Sequence, residues 1–119
     1  MALMLTVAAA QIDIAFGNKD TNVATILARL RDAAGRGAKL VVFPECAITG
    51  YAFESRDAAL KIAEPIPGPS TSAIAAECAA LGVWAIVGTL EKDGDKLFNS
   101  AALIGPKGAA SVYRKLHLP

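Results

Sequence analysis

The chain has 119 residues, of which 54% are hydrophobic, and its 12 basic and 11 acidic side chains give a formal charge of +1. This composition excludes an intrinsically disordered chain and indicates one core-forming domain, and the balanced charge argues against nucleic acid or an anionic membrane surface as a partner. The two cysteines, Cys46 and Cys78, fit neither a metal-ligand spacing nor a disulfide framework, so we predict no zinc or other metal site and a cytoplasmic location. We also expect no other cofactor.

The first part of the chain has the pattern of a strand, a helix and a second strand. Leu3 to Ile12 is apolar, which predicts an interior strand buried on both faces. A helix follows from about Asp20, because apolar residues recur there at the 3.6-residue period of one helix face. Leu40 to Phe43 is a short apolar strand that ends at Pro44. We therefore expect the two strands to form a parallel pair.

Two helices are predicted next. Asp57 to Ala63 suits a short helix, and a turn rich in proline and glycine follows it. Ser70 or Thr71 is placed to cap a longer helix, in which Cys78 falls on the apolar face. We expect this cysteine to be a packed structural residue.

The last third of the chain predicts three successive strands. Val83 to Leu90 and Leu97 to Ile104 are rich in residues that favour strands and are separated by a polar, hairpin-like turn. A second turn leads into Ala109 to Arg114. Because this order departs from simple alternation of strands and helices, we predict an α/β fold with a mixed sheet flanked by helices.

Glu45 is the first candidate for chemistry. It follows directly on the predicted strand that ends at Phe43-Pro44, and open α/β sheets bind ligands at the carboxyl ends of their strands. Apolar neighbours at that place would destabilise the charged carboxylate, so we expect a raised pKa suited to general base catalysis.

Lys115 is the second candidate. It stands in the segment Tyr113-Arg114-Lys115, again at the exit of a strand, where its ammonium could present a positive charge to a developing oxyanion. Taken singly, a glutamate or a lysine at a strand end is more often an ordinary surface residue.

Together the two segments resemble the nitrilase superfamily of carbon-nitrogen hydrolases, which place a glutamate in a Phe-Pro-Glu segment and a lysine in a Tyr-Arg-Lys segment. Further positions are similar to the family in the same order: Ala10-Gln11, Asn22, Gly37-Ala38, Asn99-Ser100 and Gly105-Pro106-Lys107-Gly108. The resemblance implies an αββα sandwich with mixed sheets, incomplete in this chain. Residues 1–119 would be the N-terminal portion of a single carbon-nitrogen hydrolase domain, without its downstream part.

The resemblance also implies a mechanism that uses a glutamate, a lysine and a cysteine. Glu45 would be the general base, Lys115 would stabilise the tetrahedral intermediate, and Tyr51 would line the acyl pocket. The complete protein would be an amidase-type hydrolase of carbon-nitrogen bonds other than peptide bonds. Its substrate would be a small-molecule amide, nitrile or carbamoyl compound, and the protein would form a homodimer.

The nucleophile of the family is expected beyond Pro119, so this chain alone is expected to be inactive. Cys46 is next to Glu45, but adjacent residues on an extended backbone point to opposite sides, and we expect it to be buried. His117 could in principle pair with a cysteine, although the chemistry that the resemblance implies does not use a histidine there.

Three functional classes remain open on the sequence. The first is a segment of an amide-cleaving enzyme whose cysteine comes from the rest of the polypeptide or from a companion chain. The second is a catalytically inactive truncated paralogue or binding half. The third is a small α/β domain of the phosphoacceptor type, which would need an acidic cluster at its strand ends, whereas Asp13 stands alone.

Overall fold

A computed structural model describes residues 3–115 of the chain. In chain order, its elements are β1 Val7–Ala9, α1 Lys19–Gly35, β2 Leu40–Val42, α2 Arg56–Ile62, α3 Pro69–Leu81, β3 Trp84–Asp93, β4 Lys96–Gly105 and β5 Gly108–Arg114. Each predicted helix and strand is present. The predicted α/β class and the mixed sheet are therefore confirmed.

The five strands form one sheet in the order β1-β2-β3-β4-β5. The pairs β1–β2 and β2–β3 are parallel, while β3–β4 and β4–β5 are antiparallel. Because β5 reverses the direction of β4, it runs in the same direction as β2 and β3. The carboxyl ends of β2 and β5 consequently lie at the same edge of the sheet, although two strands separate them.

Strand β1 departs from its prediction. An interior strand buried on both faces was expected over Leu3 to Ile12, but β1 has three residues and lies at the edge of the sheet. Val7 is 56% exposed, while Ala8, Ala10 and Ile12 are only partly buried against the core. An edge strand has one neighbour, so an apolar run alone did not establish burial on both faces.

One face of the sheet carries the main hydrophobic core. Helices α1 and α3 pack on each other and against this face, with Ile26, Leu30 and Ile74 fully buried beside Val41 and Val87. Cys78 is also buried there, as its helical spacing predicted.

Helix α3 begins slightly earlier than predicted. Pro69 is its first residue and Gly68 its N-cap, so neither Ser70 nor Thr71 is the capping residue. Thr71 instead accepts a hydrogen bond from the Gly68 N–H at 2.9 Å, and Ser70 donates to Glu64 at 2.7 Å. Proline at the first helical position needs no N–H donor, which explains the earlier start.

The opposite face of the sheet is largely open. Helix α2 covers its end near Leu90, together with Ala59, Ala63 and Cys46. Elsewhere on this face Trp84 is 41% exposed and Tyr113 is 62% exposed. The described residues thus supply one helix layer and one sheet layer of the expected αββα arrangement. No helix within residues 3–115 has the length and apolar character needed to cross a membrane.

A buried asparagine on α1 ties the helix to the segment that follows β2. The side-chain amide of Asn22 donates to the carbonyl oxygens of Ala15 and Ile48 at 2.7 and 2.9 Å, and its oxygen accepts from the Ala15 N–H at 2.7 Å. Asn22 is 1% exposed. Its three hydrogen bonds satisfy two partly buried backbone groups of Ala15 and the buried carbonyl of Ile48.

We predict that Asn22→Ala lowers the free energy of unfolding by about 1–3 kcal/mol, because it leaves buried backbone groups without partners. Thr21→Ala, one residue earlier on the exposed side of the same helix, should change it by no more than about 0.5 kcal/mol. Urea denaturation of both variants measures the difference, and equal stabilities would show that Asn22 does not hold the segment.

Candidate active site

Glu45 and Lys115 meet on the open face of the sheet. The Nζ of Lys115 lies 3.2 Å from Oε1 of Glu45, although 70 residues separate them in sequence. Each follows a strand whose carboxyl end is at the same edge. The structure therefore brings together the two residues that the sequence singled out.

The segment after β2 crosses the sheet to reach this place. Adjacent strands are about 4.8 Å apart, so roughly 14 Å separate β2 from β5. The backbone at 44–46 lies directly on β3 at Gly88, where a Cβ would stand 2.5 Å from the Cys46 nitrogen and 2.6 Å from the Pro44 oxygen. A glycine is thus required for the crossing, and the crossing carries Glu45 over β3.

Asn99 on β4 connects the two candidate residues. Its side-chain Nδ2 donates to Oε1 of Glu45 at 2.9 Å, and its backbone oxygen accepts the Lys115 N–H at 2.9 Å. Sequence reasoning noted Asn99-Ser100 as a similar position but assigned no site role to Asn99. Its place opposite the end of β5 is a matter of strand register, for which the sequence offered no direct signal.

The charges at the site differ from the expectation. The hydrogen bond from Asn99, followed by that from Lys115, lowers the pKa of Glu45. The predicted rise is wrong, because the Glu45 side chain is 51% exposed and burial has little effect on it. Glu45 in turn raises the pKa of Lys115. At neutral pH the pair is a carboxylate facing an ammonium.

An open cleft of about 450 Å³ surrounds this pair. Its lining residues belong to the sheet or to the segment that crosses it: Phe43, Pro44, Glu45, Ile86, Gly88, Asn99, Ser100, Ala101, Tyr113 and Lys115. Tyr51 is not among these residues and is 47% exposed, although its phenol is near enough to affect the pKa of Lys115. Its role in binding substrate stays a prediction.

Cys46 is buried beside the site. It has a positive φ of 51°, so the backbone there is not extended as the sequence argument assumed, yet the thiol still points inward. Burial raises its pKa to about 11, and its Sγ lies 3.7 Å from Oδ1 of Asn99. In the same orientation of the amide, the Nδ2 of Asn99 faces Glu45. A thiol in that state is a poor nucleophile.

The second cysteine, Cys78, lies away from the cleft. It is buried under α3, and burial raises its pKa to about 11. His117 is outside the described residues, so a cysteine-histidine pair stays a hypothesis. Within residues 3–115, no three His, Cys, Asp or Glu side chains form a group that could hold a metal ion.

The site stands in a chain whose sequence matches a known family over most of its length. The model of the carbon-nitrogen hydrolase family matches residues 6–119. The chain belongs to this family. The nitrilase resemblance that the Glu45 and Lys115 segments suggested is thereby confirmed.

Individual relatives of this chain are longer proteins. The chain is 40% identical over 116 residues to a nitrilase of Pyrococcus abyssi, which covers 97% of this chain and 44% of that protein. It is 39% identical over 105 residues to omega-amidase NIT2 of Homo sapiens, covering 84% of this chain and 36% of that protein. The chain therefore spans less than half the length of these relatives.

The fold is also similar to that of solved amidases. A crystal structure of an N-terminal amidase superposes with a TM-score of 0.82 at 28% sequence identity, over 95% of this chain and 28% of that chain. The chain thus reproduces a part of the nitrilase fold, with α1 and α3 on one face of a mixed sheet.

We predict that Gly88→Ala lowers the free energy of unfolding of the protein by about 1–3 kcal/mol. The new methyl group would overlap backbone atoms of the segment that carries Glu45, and backbone cannot turn aside as a flexible side chain can. Gly35→Ala adds the same methyl group where no heavy atom lies within 4 Å, so the free energy of unfolding of that variant should not fall. Thermal and urea denaturation of both variants test the contrast.

We also predict that Asn99→Ala raises the pKa of Glu45, because it removes the largest of the causes that lower it. Titration of ¹³C-labelled glutamate carboxyl groups by NMR measures this shift. Ser70→Ala removes a hydrogen bond to another carboxylate, that of Glu64, and should leave the pKa of Glu45 unchanged. A folded Asn99→Ala protein with an unaltered Glu45 titration would contradict the role given to Asn99.

Proposed function

We propose that Glu45 and Lys115 are the acid-base and electrostatic groups of an amidase-type hydrolase that cleaves carbon-nitrogen bonds other than peptide bonds. The cysteine nucleophile would come from polypeptide outside this chain. The observation that carries the proposal is the 3.2 Å contact between Lys115 and Glu45 on an open cleft, with Asn99 bonded to both residues. Membership of the carbon-nitrogen hydrolase family supports it.

In the proposed mechanism Glu45 first accepts the proton of the cysteine thiol. The thiolate attacks the carbonyl carbon of an amide, and the negative charge that forms on the oxygen is offset by the ammonium of Lys115. Glu45 then gives the proton to the leaving nitrogen as the C–N bond breaks, and a thioester remains. A water molecule, deprotonated by Glu45, attacks the thioester carbon. The C–S bond breaks, Glu45 returns the proton to the departing thiolate, and a carboxylic acid is released.

The charge states at the site suit this sequence of steps. Glu45 is ionised at neutral pH and is therefore ready to accept a proton, while Lys115 is charged. As Lys115 turns toward the oxyanion, its contact with Glu45 weakens and the pKa of the carboxyl group rises. Glu45 thus becomes a stronger base at the moment when a proton must be held.

The proposed substrate is a small-molecule amide, with nitrile and carbamoyl compounds as further possibilities. The similar proteins named nitrilase, omega-amidase and N-terminal amidase act on amides or nitriles according to their names. Tyr51 is proposed to line the acyl pocket. The nitrilase resemblance also supports a cytoplasmic homodimer, and both properties belong to the proposal.

A second candidate function is that of an inactive paralogue or binding half that holds small amides without turnover. The observation that favours it is the state of the two cysteines in the described residues. Both are buried, with pKa values raised to about 11, so neither supplies a thiolate at the cleft. The two candidates differ in whether a thioester forms.

We predict that Glu45→Gln lowers kcat by at least about 10²-fold in protein expressed from the complete reading frame, since a general base contributes about 10²–10⁴-fold. The variant is isosteric and should fold normally. Ammonia release from a panel of small amides measures turnover, and mass spectrometry of the quenched enzyme detects the thioester. Normal acylation by the variant would refute the role of Glu45.

The matched control is Glu64→Gln, which neutralises a carboxylate that does not line the cleft and is bonded to Ser70 and Lys19. It should retain turnover. If the unaltered protein forms no thioester with any amide, nitrile or carbamoyl compound but still binds one, the binding candidate is favoured over the hydrolase.

A further inference from the structure

Arg114 precedes Lys115 and lies on the other face of the sheet. Side chains of successive residues in a strand point to opposite faces. Lys115 faces the cleft, whereas Arg114 reaches Glu91 on the face that carries α1 and α3. If contacts keep the Arg114 side chain on its face of the sheet, the next side chain, that of Lys115, must point to the cleft face.

Arg114 is held by several contacts at once. Its Nε and Nη2 donate to the two carboxylate oxygens of Glu91, each at 2.9 Å. Its Cζ lies 3.9 Å from the ring centroid of Phe98, and Nη2 is 3.5 Å from Asp93. Glu91 is itself 5% exposed and accepts a hydrogen bond from Ser100 at 2.7 Å.

Within residues 3–115, strand β5 is the outer strand of the sheet and pairs on one side only, with β4. Its last five residues, 110–114, are exposed. Beyond them, the backbone N–H of Lys115 donates to the carbonyl oxygen of Asn99. Edge strands and chain segments with few contacts fray readily, so contacts of the Arg114 side chain matter for where Lys115 lies.

We propose that Glu91 and Arg114 form a positioning pair that keeps Lys115 at Glu45 and Asn99. This inference rests on the proposed function only in giving Lys115 a part in hydrolysis. The geometric claim concerns the contact between Lys115 and Glu45, and it can be measured without turnover. Neither member of the pair touches the cleft, so both act through Lys115.

A purely electrostatic effect of the pair predicts a different outcome from a positioning effect. Glu91→Gln removes a negative charge, so direct electrostatics would lower the pKa of Glu45. If the pair positions Lys115, the same substitution loosens Lys115 from Glu45 and raises that pKa. Arg114→Lys keeps the charge but loses the two-pronged pairing and the flat contact with Phe98, so only positioning predicts a change.

The experiment measures the Glu45 pKa by ¹³C NMR in protein from the complete reading frame. The unaltered protein is compared with Glu91→Gln, Arg114→Lys and the control Glu64→Gln. The backbone of Glu64 pairs with Glu91, but its carboxylate bonds to Ser70 and Lys19 rather than to Arg114, so the control neutralises a carboxylate outside the pair. The expected result is a rise in the Glu45 pKa in the first two variants and none in the control. Arg114 is 41% exposed at its side chain, so Arg114→Lys decides the question if Glu91→Gln does not fold.

Activity supplies a second measurement that separates the two proposals. In an active protein we expect Glu91→Gln to lower kcat on the order of 10²-fold with a smaller change in KM, because a displaced Lys115 fails mainly in the transition state. Folded variants with an unchanged or lowered Glu45 pKa overturn the positioning pair, whatever their activity. A raised pKa in a protein that hydrolyses nothing leaves the positioning pair standing and overturns the proposed hydrolase.

Discussion

The close approach of the backbone at 44–46 to Gly88 is the constraint on which the candidate site depends. Strands β2 and β5 end at the same edge of the sheet but are separated by β3 and β4. Glu45 reaches Lys115 only because the chain after β2 lies flat on β3, in space that any side chain at residue 88 would fill. Asn22 secures the far side of the same segment from helix α1, through the Ile48 carbonyl. The position of the Glu45 carboxylate thus depends on the absence of a side chain at Gly88 and on the hydrogen bond from the Asn22 amide to the same segment.

The two faces of the sheet carry different groups of side chains. One face packs against α1 and α3 and holds the ionic group of Glu91, Arg114 and Ser100. The other face presents Asn99 and Lys115 to Glu45 in the open cleft. Arg114 and Lys115 are neighbours in sequence but lie on different faces, because side chains alternate along a strand. Packing against α1 and α3 holds the strands in position, and the residues that face the cleft are thereby held as well.

The electrostatics of the site follow from the openness of this second face. A carboxylate at a strand end was expected to be buried and to have a raised pKa. In the structure Glu45 is half exposed. Hydrogen bonds from Asn99 and Lys115 therefore outweigh the effect of partial desolvation, and the pKa of Glu45 is lowered. The adjacent Cys46 shows the opposite balance, since burial is the largest cause of its raised pKa. Two consecutive residues thus differ in charge state because the backbone turns between solvent and core.

The amino-acid sequence by itself determined the helices and most of the strands, because hydrophobic period and turn residues are local signals. It also determined the family, through Phe43-Pro44-Glu45 and Tyr113-Arg114-Lys115 in their order along the chain. The tertiary structure decided three things that no local pattern contains. It made β1 an exposed edge strand, it made Asn99 the residue that joins Glu45 to Lys115, and it set the pKa of Glu45 below its usual value. Each of these depends on which strands are neighbours and in what register, and that follows from contacts between segments tens of residues apart.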